Sequence, residues 1–335
     1  MKKTLFFLLI FIASELLLFA QDGTGPFRKD VVTRKKINSK FNELYMQNSE
    51  IGYLTFPYTQ QGAPYDYLLT GYIVPHYYVF PTDWRIGLVI TPAVRVRIMD
   101  GESKPVRTPS YIPGGTLYFK LNRDTAHYKY LSVALFHHSN GQDGAPLNLD
   151  GSVNLYNGNF GTNFIEVGLN FGSQTETKNR YFKLGLEAHS GLIEKWDEPA
   201  FRGRYGNLRV NYKMSGAKYI THFADFVKTK ALKKPTTKKT QELWRTVFEG
   251  MVIIDPNVSM EWYKLFNAEL KVYRKIGNSP NTSWFFSAGY LGQDYYNVYF
   301  EQNYPVVRFG LAAGSSFFQR TKYKDPEKEE EAFKY

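Results

Sequence analysis

The stretch 135–144, "LFHHSNGQDG", sets His137 and Ser139 two residues apart, with His138 between them. In extended backbone successive side chains point to opposite faces, so His137 and Ser139 share one face and His138 takes the other. A histidine within reach of a serine hydroxyl can remove its proton while the serine attacks an ester carbonyl. That chemistry needs a third group to hold the imidazole in the right tautomer. The next run, "GTNFIEVGLNFG", offers one. Asn163 lies in the apolar phase with Ile165, Val167, Leu169 and Phe171, whereas Glu166 and Asn170 lie in the other. Leu131, Val133 and Leu135 precede His137 in its own phase, so all three polar groups continue oily stripes. A His-x-Ser pair at a strand end also occurs as an ordinary loop edge. Two features weigh against that reading here: polar groups on a lipid-facing stripe are costly unless used, and a partner lies in phase on the following run.

The elements that would carry these residues have period two. In "DWRIGLVITPAVRVRIMDG", Ile86, Leu88, Ile90, Val94, Val96 and Ile98 alternate with Arg85, Thr91, Arg95 and Arg97. Oil on one face and charge on the other is the half-buried strand pattern. Comparable runs fall near 52–59, 66–78, 84–98, 112–121, 128–139, 161–172, 179–190, 205–214, 243–255, 258–274, 282–300 and 305–318. Periodicity does not separate a soluble sandwich from a barrel, but composition does. Tyr and Phe occur 26 times each, yet mean hydropathy is −0.40. An apolar outer band, aromatic girdles and a polar interior require that mixture. The expected fold is an all-β, antiparallel transmembrane β-barrel of about twelve strands.

Residues 1–20 have the layout of a secretory signal peptide: two lysines, an apolar run broken by Glu15, and a polar restart. Residues 21–51 are expected to form a periplasmic lead-in or a short helix, 52–320 the barrel, and 321–335 a charged tail. The lysine-rich segment 227–239 reads as a solvated loop, with contact to lipopolysaccharide phosphate the weaker alternative. Phe318 would be the closing aromatic of the last strand. With no cysteine, disulfides, thiolate metal sites and a cysteine nucleophile are excluded. The net charge of +11 suits anionic lipid, and nucleic acid is not an expected partner of an exported chain.

At this point "HHSNG" resembles the His-x-Ser-Asn-Gly signature of the outer membrane phospholipase A family. The segment "ESKPVRTPSYIPGGTLYF" (102–119) is similar to that family's Glu-Ser-x-Pro-x-Arg and Tyr-x-Pro segment, at nearly the family's distance from the histidine. The resemblance spans about 84–172. It implies Ser139 as nucleophile, His137 as base and acid, Asn163 as the group orienting His137, and the Gly141 amide as part of an oxyanion hole. It further implies an outer-membrane location, phospholipid substrate, calcium dependence and activity as a homodimer. Ser103, from the opposite subunit, and the carbonyl of Gln142 would be calcium ligands. Gln142 stands where the family commonly has arginine. Asp143, with Asn148 and Asp150, could add oxygen ligands, or serve as ordinary turn residues. Two alternatives stay open. One is a lipid A deacylase, which pairs a similar signature with an acid; Glu166 is the nearest and is on the wrong face. The other is a non-enzymatic barrel, either pore or scaffold.

Overall fold

The computed structural model describes residues 28–62, 65–81, 84–103, 105–106, 108–189, 197–201, 204–224, 236–255, 261–277, 279, 281–294, 296–303, 305–314 and 319–324. Period-two runs become strands wherever one oily face and one polar face can be separated by a closed sheet. The elements are α1 (Arg28–Gln47), β1 (Gly52–Thr55), β2 (Tyr67–Ile73), β3 (Tyr77–Tyr78), β4 (Ile86–Met99), β5 (Ser110–Lys120), β6 (His127–Ser139), β7 (Gly161–Gln174), β8 (Lys178–Ala188), β9 (Leu208–Ala224), β10 (Thr236–Ile253), β11 (Phe266–Lys275), β12 (Thr282–Gly292), β13 (Val306–Ala313) and β14 (Gln319–Lys324).

Every neighbouring pair is antiparallel, β13 returns to β1, and β10 pairs with β11, so twelve strands form a closed barrel. Two short strands lie off the ring. β3 pairs along β4, and β14 pairs with Thr236–Gln241 at the start of β10. Closure removes the free edges that an open sheet would expose.

Side chains alternate as the sequence requires. On β4, Val89, Thr91, Ala93 and Arg97 are buried, while Ile90 is exposed. On β8, Asn179, Tyr181 and Glu187 are buried and Phe182, Leu184 and Leu186 are exposed. An outer wall of exposed aliphatic and aromatic side chains around a polar interior is the solvent preference of a bilayer-spanning barrel. Among the described residues no helix is long and apolar enough to cross a membrane.

The connections divide the barrel into two ends. At the turn end the links 121–126, 175–177 and 276–281 are short; at the loop end lie 100–109, 140–160, 189–207, 254–265 and 293–305. Each end is filled. At the turn end Phe41, Leu44 and Tyr45 of α1 pack against Tyr128, Tyr130 and Tyr181. The Tyr45 ring stacks on Tyr118 at 4.6 Å and meets Tyr130 edge-on at 4.8 Å. Of the lead-in or short helix expected over 21–51, residues 28–47 form a helix of twenty residues that packs into the barrel. Asn38, Asn42 and Asn48 look like surface residues but are buried, because the lumen supplies partners. Asn48 Nδ2 donates to the Tyr128 hydroxyl at 3.2 Å, and Tyr78 donates to Asn42 Oδ1 at 2.5 Å.

At the loop end Val153, Phe160, Phe201, Tyr205, Tyr296 and Phe300 form an apolar cap drawn from three loops. Arg97 fastens it from β4, its guanidinium forking onto Asp294 at 2.7 and 2.9 Å and lying 4.0 Å over the Tyr296 ring. Between plug and cap is a cavity of about 340 Å³. Its walls carry ion pairs, including Lys213 with Glu50 at 2.5 Å, and Lys183 with Glu166.

Several strand boundaries differ from the sequence expectation: β1, β2, β12 and β13 end at Thr55, Ile73, Gly292 and Ala313, before the expected 59, 78, 300 and 318, and β10 starts at Thr236, before the expected 243. β9 continues to Ala224 because pairing with β10 carries it through the weakly patterned "SGAK". β11 starts at Phe266, since Trp262–Lys264 is a short helical turn. Residues 1–20, expected to be a signal peptide, residues 227–235, Phe318 and residues 325–335 lie outside the described residues. Thr236–Lys239 begin β10, and Gln319–Lys324 form β14.

Candidate active site

β6 and β7 form one hairpin whose register sets His137 opposite Asn163 and Ser139 opposite Gly161. Both strands run outward-facing at odd numbers here: Leu135 is 51% exposed, and Val167, Leu169 and Phe171 are exposed. His137 and Ser139 continue that outer face, half-buried at the loop end. His138 faces in and is fully buried.

The cross-strand pair is bonded. His137 Nδ1 lies 3.0 Å from Asn163 Oδ1. Asn163 is on the outer phase and yet only 2% exposed, because the segment after β8 folds over it. β8 pairs with β7 only from Ile165 onward, which leaves 161–163 as a bare edge. Asp197 and Glu198 take that edge. The Asn163 N–H and Nδ2 both donate to Asp197 Oδ1 at 2.8 Å. Glu198 N–H donates to the Gly161 carbonyl at 2.8 Å, and Asn159 Nδ2 to Glu198 Oε2 at 2.7 Å.

These contacts determine the tautomer without hydrogens being seen. A carboxylate only accepts, so the Asn163 amide must turn its NH2 to Asp197 and its oxygen to His137. An amide oxygen only accepts, so His137 carries its proton on Nδ1. Nε2 is then the basic nitrogen, as a general base for Ser139 requires.

Just beyond Ser139, the buried Asn140 ties down the turn. Its Nδ2 donates to the Gly158 carbonyl at 2.7 Å, while its Oδ1 accepts from Phe160 N–H at 3.0 Å and Gln142 N–H at 3.2 Å. Gly141 sits between at φ +64°, where a side chain is strained. It is exposed, and none of the described residues accepts its N–H. A Cβ there would stand 3.1 Å from the Tyr111 ring. Tyr111 pairs with Ser139 and is 42% exposed. With Leu135 it gives the outer face an apolar approach to Ser139. On the inner side Gly114 has no side chain, which leaves room for the Phe136 ring to stack on Phe164 at 5.5 Å.

Other candidates separate cleanly. His138 Nε2 lies 3.1 Å from Ser110 Oγ, which also accepts from Asn297 Nδ2 at 2.9 Å, so His138 holds strand to cap. Glu166 faces inward and pairs with Lys183. His189, also inward, is bonded to Glu187 at 2.5 Å and to Thr162 at 3.0 Å. Asp197 was not singled out from the sequence. It lies 34 positions from Asn163 in "EKWDEPA", beyond any strand pattern, and only the folded loop reveals it.

The residues considered for calcium lie at the same end of the barrel. Ser103 is exposed at φ +61°, Gln142 is half-buried beside the Gly141 turn, and Asp143 is exposed. Hydroxyl, carbonyl and carboxylate oxygens fit a hard cation in chemical type. Among the described residues of one chain there is no group of three His, Cys, Asp or Glu able to hold a metal. Asp150 and Asn148 act as turn residues: Ser152 N–H and Oγ donate to Asp150 at 2.9 and 2.6 Å, and Asn148 Nδ2 donates to Ser152 Oγ at 2.9 Å. The Ser152 bonds hold the Asp150 carboxyl below its usual range.

No family model matches the chain. No curated protein matches it in sequence. Among solved structures, it is similar to outer membrane phospholipase A from Escherichia coli, at 12% identity and a TM-score of 0.49, covering 82% of this chain and 98% of that one. It is similar to the same extent to the Salmonella typhi outer membrane phospholipase dimer with bound calcium, again at 12% identity, TM-score 0.49, and 82% and 98% coverage. At that distance the likeness carries no residue assignments.

Proposed function

We propose that the protein is an outer-membrane phospholipase that cleaves acyl esters on the outer wall of its barrel. The observation that carries this reading is the His137 Nδ1 to Asn163 Oδ1 bond of 3.0 Å, in the strand phase shared with Ser139. A phospholipid in the leaflet presents its ester sideways. Ser139 Oγ attacks the carbonyl carbon while His137 Nε2 takes the hydroxyl proton. The carbonyl oxygen gains charge and is met by the Gly141 N–H, a type of donor that contributes roughly 2.7–4 kcal/mol. His137 then protonates the departing lyso-lipid oxygen, leaving the fatty acyl group on Ser139. Water enters from the membrane surface and attacks the acyl carbonyl while His137 takes its proton, and His137 returns that proton to Ser139 Oγ as the fatty acid leaves.

Long loops of outer-membrane barrels face outward, which sets the site in the outer leaflet, beside lipopolysaccharide. Calcium is part of the reading. Ser103 of a second copy, the Gln142 carbonyl and Asp143 would hold it. Bound there it would lend positive charge to the developing oxyanion. A homodimer belongs to the same reading, because Ser103 would come from a second copy. A pore is disfavoured by the plug and the cap. A lipid A deacylase is disfavoured because the acid in this site contacts the asparagine and not the histidine.

The test is fatty-acid release from phospholipid in mixed micelles, with calcium and with a chelator, for wild type and Ser139→Ala. Calcium-dependent release that is lost in Ser139→Ala is the expected result. Release surviving Ser139→Ala would overturn the site, and release unaffected by the chelator would overturn the calcium proposal.

A further inference from the structure

Asp197 does more than finish an edge. Its Oδ1 accepts two N–H bonds from Asn163, one from the backbone and one from the side chain. It is half-buried, and its neighbour Glu198 docks the same segment on Gly161 and Asn159. The backbone bond alone would finish the β7 edge. The side-chain bond is a separate commitment, because an asparagine amide is free to turn over unless something fixes it.

We infer that Asp197 is a positioning residue for the hydrolysis proposed above, acting on His137 through the Asn163 amide. The physical effect has two parts. First, the carboxylate forbids the flipped amide, in which NH2 would face His137, force the proton to Nε2 and leave no base for Ser139. Second, donation from Asn163 Nδ2 to a charged acceptor polarises the amide, raising electron density on Oδ1 where it meets Nδ1–H. When His137 becomes imidazolium, a full negative charge stands one amide away. The neutral asparagine thus transmits part of what a directly bonded aspartate supplies in other serine hydrolases. No bond to Asp197 is made or broken, and no proton is passed to it. The inference rests on the hydrolase reading for its consequence, but its geometry is independent of it.

The experiment is a charge swap. Asp197→Asn removes the carboxylate and permits the flip, Asn163→Asp sets two carboxylates in contact, and the double variant restores one charge to the pair. Each is refolded in detergent micelles and assayed, and the His137 ring nitrogens are followed by 15N NMR, assigned by comparison with His137→Gln. In the wild type Nδ1 is expected to carry the proton. In Asp197→Asn the two tautomers should mix, and kcat should fall by roughly 10- to 100-fold with KM little changed, a partial loss of the roughly 100- to 10,000-fold that base catalysis contributes. Asp197→Glu should recover part of the loss. Asn163→Asp should fall further, and the double variant should recover activity above either single one. An edge cap with no role in positioning predicts the opposite: an unchanged tautomer in Asp197→Asn, with any loss following the folded fraction on unheated gels. That result overturns the inference. If the wild type proves inactive on every lipid, the hydrolase reading fails while the tautomer comparison still decides whether Asp197 orients His137.

Discussion

At the residue scale, neighbouring histidines with equal sequence credentials do different work because a strand alternates. His137 reaches the outer face of the barrel and an asparagine, and His138 is sealed against Ser110 and the Phe160 ring. That division was legible, since phase alone puts Ser139 with His137, and Asn163 with both. The Asp197 contact was not, because alternation carries no information about where a loop returns. Gly141 offers a sharp check. Gly141→Ala puts a Cβ 3.1 Å from Tyr111 and asks an L-residue to hold φ +64°, a conformation costing roughly 1–2 kcal/mol. The turn should shift its amide, lowering kcat by about 10- to 100-fold while KM stays close to wild type. Steady-state kinetics on a short-chain ester would show it, and an unchanged kcat would remove Gly141 from the site.

At the element scale, the strands were readable and the fillers were not. All twelve runs expected from alternation overlap a strand of the ring, and those of β4 to β8 match within two residues at each end, because a barrel strand is solvated differently on its two faces along its whole length. α1 has no such signature. Its buried face mixes Phe41, Leu44 and Tyr45 with Asn38 and Asn42, which reads as surface until the polar lumen is known. Truncating the fully buried Leu44 to alanine should cost about 2–5 kcal/mol. A fall in the temperature at which the folded band is lost on gels would report it. The cap has a comparable anchor. Arg97→Ala leaves Asp294 buried and charged, so about 3–5 kcal/mol of destabilisation is expected. Replacing Arg97 and Asp294 together with apolar residues of similar volume should cost less than either single removal, a comparison that separates burial of charge from loss of packing.

For the whole molecule, the barrel's two surfaces have divided duties. The outer wall carries the proposed chemistry, and the lumen is closed by a helix at one end and aromatic loops at the other. In a planar bilayer the intact protein should therefore pass almost no ionic current, while a variant lacking residues 28–50 should conduct through the charged interior. Steady current from the intact chain would show that the plug or the cap opens readily. Composition anticipated the barrel, since aromatic content and negative hydropathy coexist in few other folds. It could not anticipate a blocked one, because a filled lumen and an open lumen are lined by the same residue types.

The seam where the barrel closes has a mechanical meaning. β1 is four residues long, while most strands it shares the sheet with are ten or more. It follows α1 by a short link in which Glu50 reaches Lys213 and Lys271 across the interior. The ring is thus fastened by its weakest strip, and that strip is tethered to the stopper. Pulling the stopper peels the strip. Amide exchange should consequently begin at β1 and the facing half of β13, and should reach α1 in the same opening event, as one cooperative latch.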